Sequence, residues 1–181
     1  MSPVKKQSLR DYQLAAADSI DESLAVGINP LVVIPTGGGK SLIIAETIKR
    51  LLARPSRPSV LLLSHVKELI KQTSETLRRY DPSIAQGIYS AGLKEKRGGS
   101  RVVMGTVQTV SRSAASLGAR SFLLIEEAHL CPREQASQYG RVFEHFRLAR
   151  RIGFTATNLR LDSGSLTEGD AAWFDEVSYE A

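Results

Sequence analysis

The chain has 181 residues, 42% of them hydrophobic and 24% charged, which suits one ordinary α/β domain and excludes disordered and collagen-like classes. All 24 basic residues but only 13 of the 19 acidic ones lie in the first 161 positions. That stretch therefore carries +11 within a chain total of +5, a balance suited to a polyanionic partner.

Short apolar runs then alternate with longer amphipathic ones. LVVIP (31–35) is β-branched and wholly apolar, so it predicts a strand covered on both faces. Ser41 to Ala53 has helical spacing, with Leu42, Ala45, Ile48 and Leu52 on one side, and the proline-rich stretch 53–59 breaks it. A second buried strand is expected at 60–64 and a helix at 66–80, closed by Asp81-Pro82. A weaker strand follows at 84–90, then a charged, glycine-punctuated loop at 91–100. Strand 101–106, a helix near 107–116, strand 122–126, a helix over 133–147 and strand 151–157 complete the pattern. Such alternation predicts an α/β fold, a mostly parallel sheet with helices on both faces. Ligands of such sheets bind at the carboxyl ends of the strands.

The lone cysteine, Cys131, excludes an intrachain disulfide and a multi-cysteine zinc site and suits a reducing cytoplasm. Residues 1–13 carry neither an apolar run nor a cleavage pattern, and the longest apolar runs are strand-sized, so no membrane partner is expected.

Two stretches carry chemistry. PTGGGKS (35–41) lies between a predicted strand and a predicted helix, the context of a phosphate-binding loop. Pro35 and Thr36 enter the loop; Gly37, Gly38 and Gly39 allow its backbone N–H groups to close on phosphate oxygens. Lys40 would reach the β- and γ-phosphates of ATP, and Ser41 would offer its hydroxyl to Mg²⁺. Ile34 stands where the strict pattern has glycine. The second stretch, EEAH (126–129), sets two carboxylates at a strand end, a costly place unless a cation meets them. Glu126 reads as the second Mg²⁺ ligand and Glu127 as the base for an attacking water.

PTGGGKS, EEAH and TAT (155–157), in this order, resemble motifs I, II and III of the superfamily 2 DExH-box helicases and translocases. RadD-like DNA-repair helicases and type III restriction-enzyme helicase subunits are the branches most similar. LRDYQ (9–13) resembles their adenine-reading element, SHVKELIKQ (64–72) motif Ia, and GTVQTV (105–110) motif Ib. The resemblance implies a RecA-like first lobe over residues 1–161. It implies that Gln13, supported by Arg10, contacts adenine, and that His65, Lys67, Thr106 and Gln108 face a nucleic-acid strand, DNA by resemblance. His129 would join Lys40, Glu126 and Glu127 in the catalytic set, while Thr155 and Thr157 would couple nucleotide state to strand binding.

Two further departures from the family pattern stand out. The box begins with Glu126 where aspartate is usual, and one extra methylene can misplace a carboxylate enough to cost about a hundredfold in rate. Asn158 replaces the usual proline. Residues 162–181 are expected to be an acidic tail, the start of the connection to a second RecA-like lobe that normally supplies arginine fingers. Without that lobe the chain is expected to bind ATP weakly and hydrolyse it very slowly. The alternative is a non-hydrolysing, ATP-gated module for nucleic acid or a protein partner; a small phosphate-loop kinase fits poorly with LRDYQ upstream and TAT downstream. The basic stretch 94–101 reads either as a solvated loop or as a nucleic-acid contact.

Overall fold

A computed structural model describes residues 8–160, 164–169 and 172–181. The expected boundary between 161 and 162, and residues 1–7 of the N-terminus, lie outside the described residues.

Eight strands form one sheet: β1 (Pro30–Val33), β2 (Val60–Ser64), β3 (Gln86–Ser90), β4 (Glu95–Lys96), β5 (Val102–Thr106), β6 (Phe122–Glu126), β7 (Arg150–Thr155) and β8 (Glu176–Glu180). Their spatial order is β4-β3-β5-β2-β6-β7-β1-β8. Every pairing is parallel except β3 with β4. Among the described residues five α-helices flank it: α1 (Asp11–Ala25), α2 (Lys40–Leu52), α3 (Lys67–Tyr80), α4 (Val107–Ser113) and α5 (Gln138–His145).

Strand alternation sorts the core into two layers. Val32, Ile34, Leu62 and Leu124 pack with α1, α2 and α3 through Ile20, Ile43, Ile48, Ile70 and Leu77. Leu31, Val33, Leu61, Leu63 and Leu123 face α4 and α5 through Val107, Val110, Val142 and Phe143. Both faces of the sheet are thus covered, which is why the strands read as unbroken apolar runs.

Four elements differ from expectation. Helix α1 is missing from the sequence reading because its buried stripe is mostly small: Ala16, Ala17 and Ile20 bury, and Leu24 follows one turn later. The helix expected over 133–147 is only Gln138–His145, begun by Ser137, whose Oγ accepts the Gly140 N–H at 3.0 Å. The loop at 91–100 contains a 3₁₀ turn, Ala91–Leu93, and the short antiparallel strand β4.

The acidic tail is the largest correction. It returns to the sheet rather than leaving it. Phe174 is 1% exposed and packs against Gly153, where an added Cβ would come within 2.7 Å of the ring. The Asp175 carboxylate accepts the Asn29 backbone N–H at 2.6 Å and its side-chain amide at 2.9 Å. Residues 176–180 then pair in parallel with β1. The excess of acid concealed a strand because those charges project from an edge, where burial is only partial.

Candidate nucleotide site and nucleic-acid groove

The order β6-β7-β1 brings three strand ends together: Glu126 closing β6, Thr155 closing β7, and the 34–39 loop leaving β1. Gly39 sits at φ +77°, a left-handed turn that a side chain would strain, and α2 starts at the next residue. Among the described residues no acceptor takes the backbone N–H groups of Gly39, Lys40 or Ser41. Those donors open toward the same edge, the arrangement that favours an anion at a helix start.

Two residues of α1 brace the loop from below. The Tyr12 hydroxyl donates to the Gly38 carbonyl at 2.7 Å. Gln13, 4% exposed, donates its amide to the same carbonyl at 3.4 Å and accepts the Arg10 backbone N–H at 3.0 Å. Arg10 thus supports Gln13 through its backbone, while its side chain is exposed. In this conformation Gln13 is turned to the 34–39 loop. Pro35, Thr36 and Gly37 form the exposed rim.

The two carboxylates have different surroundings. Glu127 meets Lys40, with Oε1 3.6 Å from Nζ. Its other oxygen lies 3.3 Å from His129 Nδ1, which is 3.0 Å from Thr155 Oγ1. The Thr155 hydroxyl gives its proton to the Thr157 carbonyl at 2.9 Å, so it can only accept from His129, which fixes the proton on Nδ1. Lys40, Glu127, His129, Thr155 and Thr157 form one continuous polar chain from the loop after β1 to the loop after β7.

Glu126 is 2% exposed and has no cation within ion-pair distance among the described residues. Burial pushes its carboxyl up to about 7; the Glu127 charge adds to this, and Thr73 and Lys40 oppose it. The Thr73 hydroxyl lies 3.1 and 3.3 Å from its two oxygens and 3.2 Å from Ser41 Oγ. Thr73 therefore joins the two expected Mg²⁺ ligands. Sequence reading missed it, although a signal was there: Thr73 lies on the Ile70/Leu77 stripe, where a buried hydroxyl needs a partner. Tyr12 was missed as well, and nothing but its position beside Gln13 marks it.

A second cavity of about 520 Å³ opens at the ends of β2 and β5. His65, Lys67, Thr106 and Gln108, separated by up to 43 positions in sequence, all line it, and Lys96 and Arg112 add charge. Gln108 donates to the His65 carbonyl at 3.2 Å, tying the two segments. Thr106 contributes only its edge: its hydroxyl is buried between Ser90 Oγ, at 3.3 Å, and Thr109 Oγ1, at 3.0 Å.

Residues 6–160 match the family described as type III restriction enzyme, res subunit. The chain belongs to that family. As a res-subunit relative it is 30% identical over 177 residues to IRC3 of Saccharomyces cerevisiae, whose name is that of an ATP-dependent helicase. It is 28% identical over 131 residues to a 51.5 kDa protein of a Lactococcus phage. The alignments cover 88% and 72% of this chain but 25% of each relative, so the chain spans about a quarter of their length. Its fold is that of the UvsW helicase of bacteriophage T4, with a TM-score of 0.71 at 19% identity over 94% of this chain and 59% of that one. It also resembles the type ISP restriction-modification enzyme LlaGI, solved with a DNA substrate mimic, with a TM-score of 0.73 at 16% identity over 97% and 20% of the two chains. The res-subunit domain thus shares the fold of these proteins, built on a mostly parallel sheet. Among the described residues no helix is long and apolar enough to cross a membrane.

Proposed function

We propose that this chain is the ATP-binding first lobe of a DNA translocase or helicase, with Lys40 and the loop amides holding the triphosphate and the second cavity holding one strand. The observation that carries this reading is the polar chain from Lys40 through Glu127 and His129 to Thr155. It links the group that would contact the γ-phosphate to the loop that follows β7, as a nucleotide-driven motor requires.

In this reading Glu127 accepts the proton of the attacking water, since it is the less buried carboxylate and lies beside Lys40, where the γ-phosphate would sit. Ser41 and Glu126 suit Mg²⁺: they offer two oxygen donors, joined through the Thr73 hydroxyl. Bound there, the ion supplies charge neutralisation at the β- and γ-phosphates. DNA is favoured because LlaGI was solved with a DNA mimic and a similar SWI2/SNF2 core of Sulfolobus solfataricus with dsDNA. That core aligns with a TM-score of 0.67 at 17% identity, over 84% of this chain and 32% of that one. A second RecA-like lobe is the partner that completes the site.

One observation favours a binding module that does not hydrolyse: Glu126 replaces aspartate, is buried, and leans on Thr73. Measuring nucleotide binding and turnover on the wild type, Glu126→Asp and Lys40→Ala separates the readings. The motor reading expects binding by the first two, loss of binding by Lys40→Ala, and DNA-stimulated turnover once a second lobe is supplied. Binding without turnover in the wild type, with turnover restored by Glu126→Asp, would establish the module instead.

A further inference from the structure

A cavity of about 790 Å³ belongs to neither site above. It lies between the end of α4 and helix α5, and its wall is basic: Arg112, Arg141, Arg147 and Arg151 line it against a single acid, Glu144. Arg151 is the unusual member. Its guanidinium stands 5.4 Å from the Phe143 ring centre and 6.0 Å from that of Trp173. It makes no ion pair among the described residues, and burial holds its pKa below the ordinary guanidinium value. A half-buried cation held in place by two rings, its charge opposed only by Asp175 beyond ion-pair distance, is set up to receive an anion. The rings already carry Arg151 on their faces, so the cavity is not a platform for bases. Its chemistry is ionic.

Two residues, Arg112 and Ser113, line both this cavity and the groove of His65, Lys67 and Gln108. The two basic surfaces therefore meet at the end of α4. We propose that the cavity is a phosphate-binding extension of the nucleic-acid track, engaged by the backbone of a strand long enough to leave the groove and round the end of α4. The proposal rests on the groove reading above.

Trp173 makes the test direct, since it is the only tryptophan of the chain and part of the cavity wall. Thymidine oligonucleotides of about 6 and about 20 nucleotides, spanning the usual range of single-strand site sizes, are titrated into the 181-residue chain. Binding is followed by anisotropy of a label on the strand and by Trp173 emission. The long strand is expected to shift the emission and the short one, filling only the groove, to leave it unchanged. Arg141→Gln with Arg147→Gln, both at exposed positions, should abolish that shift and reduce the salt slope for the long strand by roughly 1.4, about 0.7 for each phosphate no longer neutralised. Lys67→Gln should weaken both strands.

A long strand that binds in a Lys67-dependent manner while Trp173 stays silent and the arginine variants change nothing would overturn the cavity proposal and leave the groove intact. Inorganic pyrophosphate shifting Trp173 where the long strand does not would also overturn it, assigning the cavity to a small phosphate compound. Binding indifferent to Lys67 and to both arginines would sink the groove reading, and the extension with it.

Discussion

The Thr73 hydroxyl, on α3, lies 3.1 and 3.3 Å from the two carboxylate oxygens of Glu126, at the end of β6. The same hydroxyl is 3.2 Å from Ser41 Oγ. Glutamate in place of aspartate is therefore matched by a partner that its extra methylene can reach. Thr73→Val should weaken Mn²⁺ or Mg²⁺ binding with nucleotide by about tenfold, since a buried carboxylate loses its donor at a cost of about 1–3 kcal/mol. Thr73→Ser should restore it. In a Glu126→Asp background the shorter side chain falls away from Thr73, so Thr73→Val should then have little effect. Electron paramagnetic resonance of bound Mn²⁺ over the four-variant cycle measures the coupling, and equal effects in both backgrounds would show that Thr73 acts independently of Glu126.

Glu126 also makes stability depend on pH. Its carboxyl is raised from 4.5 to about 7 in the fold. Between those values the native state holds a proton that the unfolded chain has released, so stability falls as pH rises through that window. The contribution is fully present below about 4.5 and lost above about 7. Glu126→Gln should flatten this part of the profile and raise stability at pH 8, by up to about 3 kcal/mol. Thermal unfolding from pH 5 to 8, without nucleotide or metal, reads it out; identical slopes for wild type and variant would count against a shifted Glu126.

His129 and Thr155 are predicted to transmit nucleotide state rather than bind nucleotide. Thr155→Val removes the acceptor of the His129 proton and the donor to the Thr157 carbonyl. Affinity for a non-hydrolysable ATP analogue should hold within about twofold. The change in DNA affinity caused by that analogue should disappear, a coupling typically about 5- to 150-fold. Paired anisotropy titrations with and without the analogue test this.

Tyr12 is predicted to hold the phosphate loop in shape. Tyr12→Phe removes the 2.7 Å bond to Gly38 and leaves the ring in place. Stability should fall by about 1 kcal/mol, and nucleotide affinity about three- to tenfold, as measured by calorimetric titration.

Phe174→Ala should show how firmly the tail belongs to the domain. The substitution removes a fully buried ring that packs against Gly153, at a cost of about 3–5 kcal/mol. Amide exchange at 176–180 should rise with it.

The legible parts of this molecule were those in which chemistry and backbone geometry coincide. Gly37–Ser41 and Glu126–His129 stand out in the sequence, and the structure puts glycines of the first at positive φ and the first carboxylate of the second at a strand end. The apolar strands 31–35, 60–64 and 122–126 were legible because a parallel sheet buries both faces. What stayed hidden depends on distant partners. Thr73 acquires its meaning from Glu126, 53 residues away. Tyr12 acquires its own from Gly38. Strand β8 looks like a charged tail until β1 offers it an edge.

That edge pairing has a mechanical consequence. The last ladder bond of β8, from the Ala181 N–H to the Val33 carbonyl at 3.1 Å, lies just before the turn from β1 into the phosphate loop. A pull on residue 181 along the strand axis loads the hydrogen bonds to β1 together rather than peeling them one at a time. The bond nearest the pulled end lies at the base of the loop, so a load on the tail bears on the end of β1 from which the loop departs, and β7 on the other side of β1 shares it.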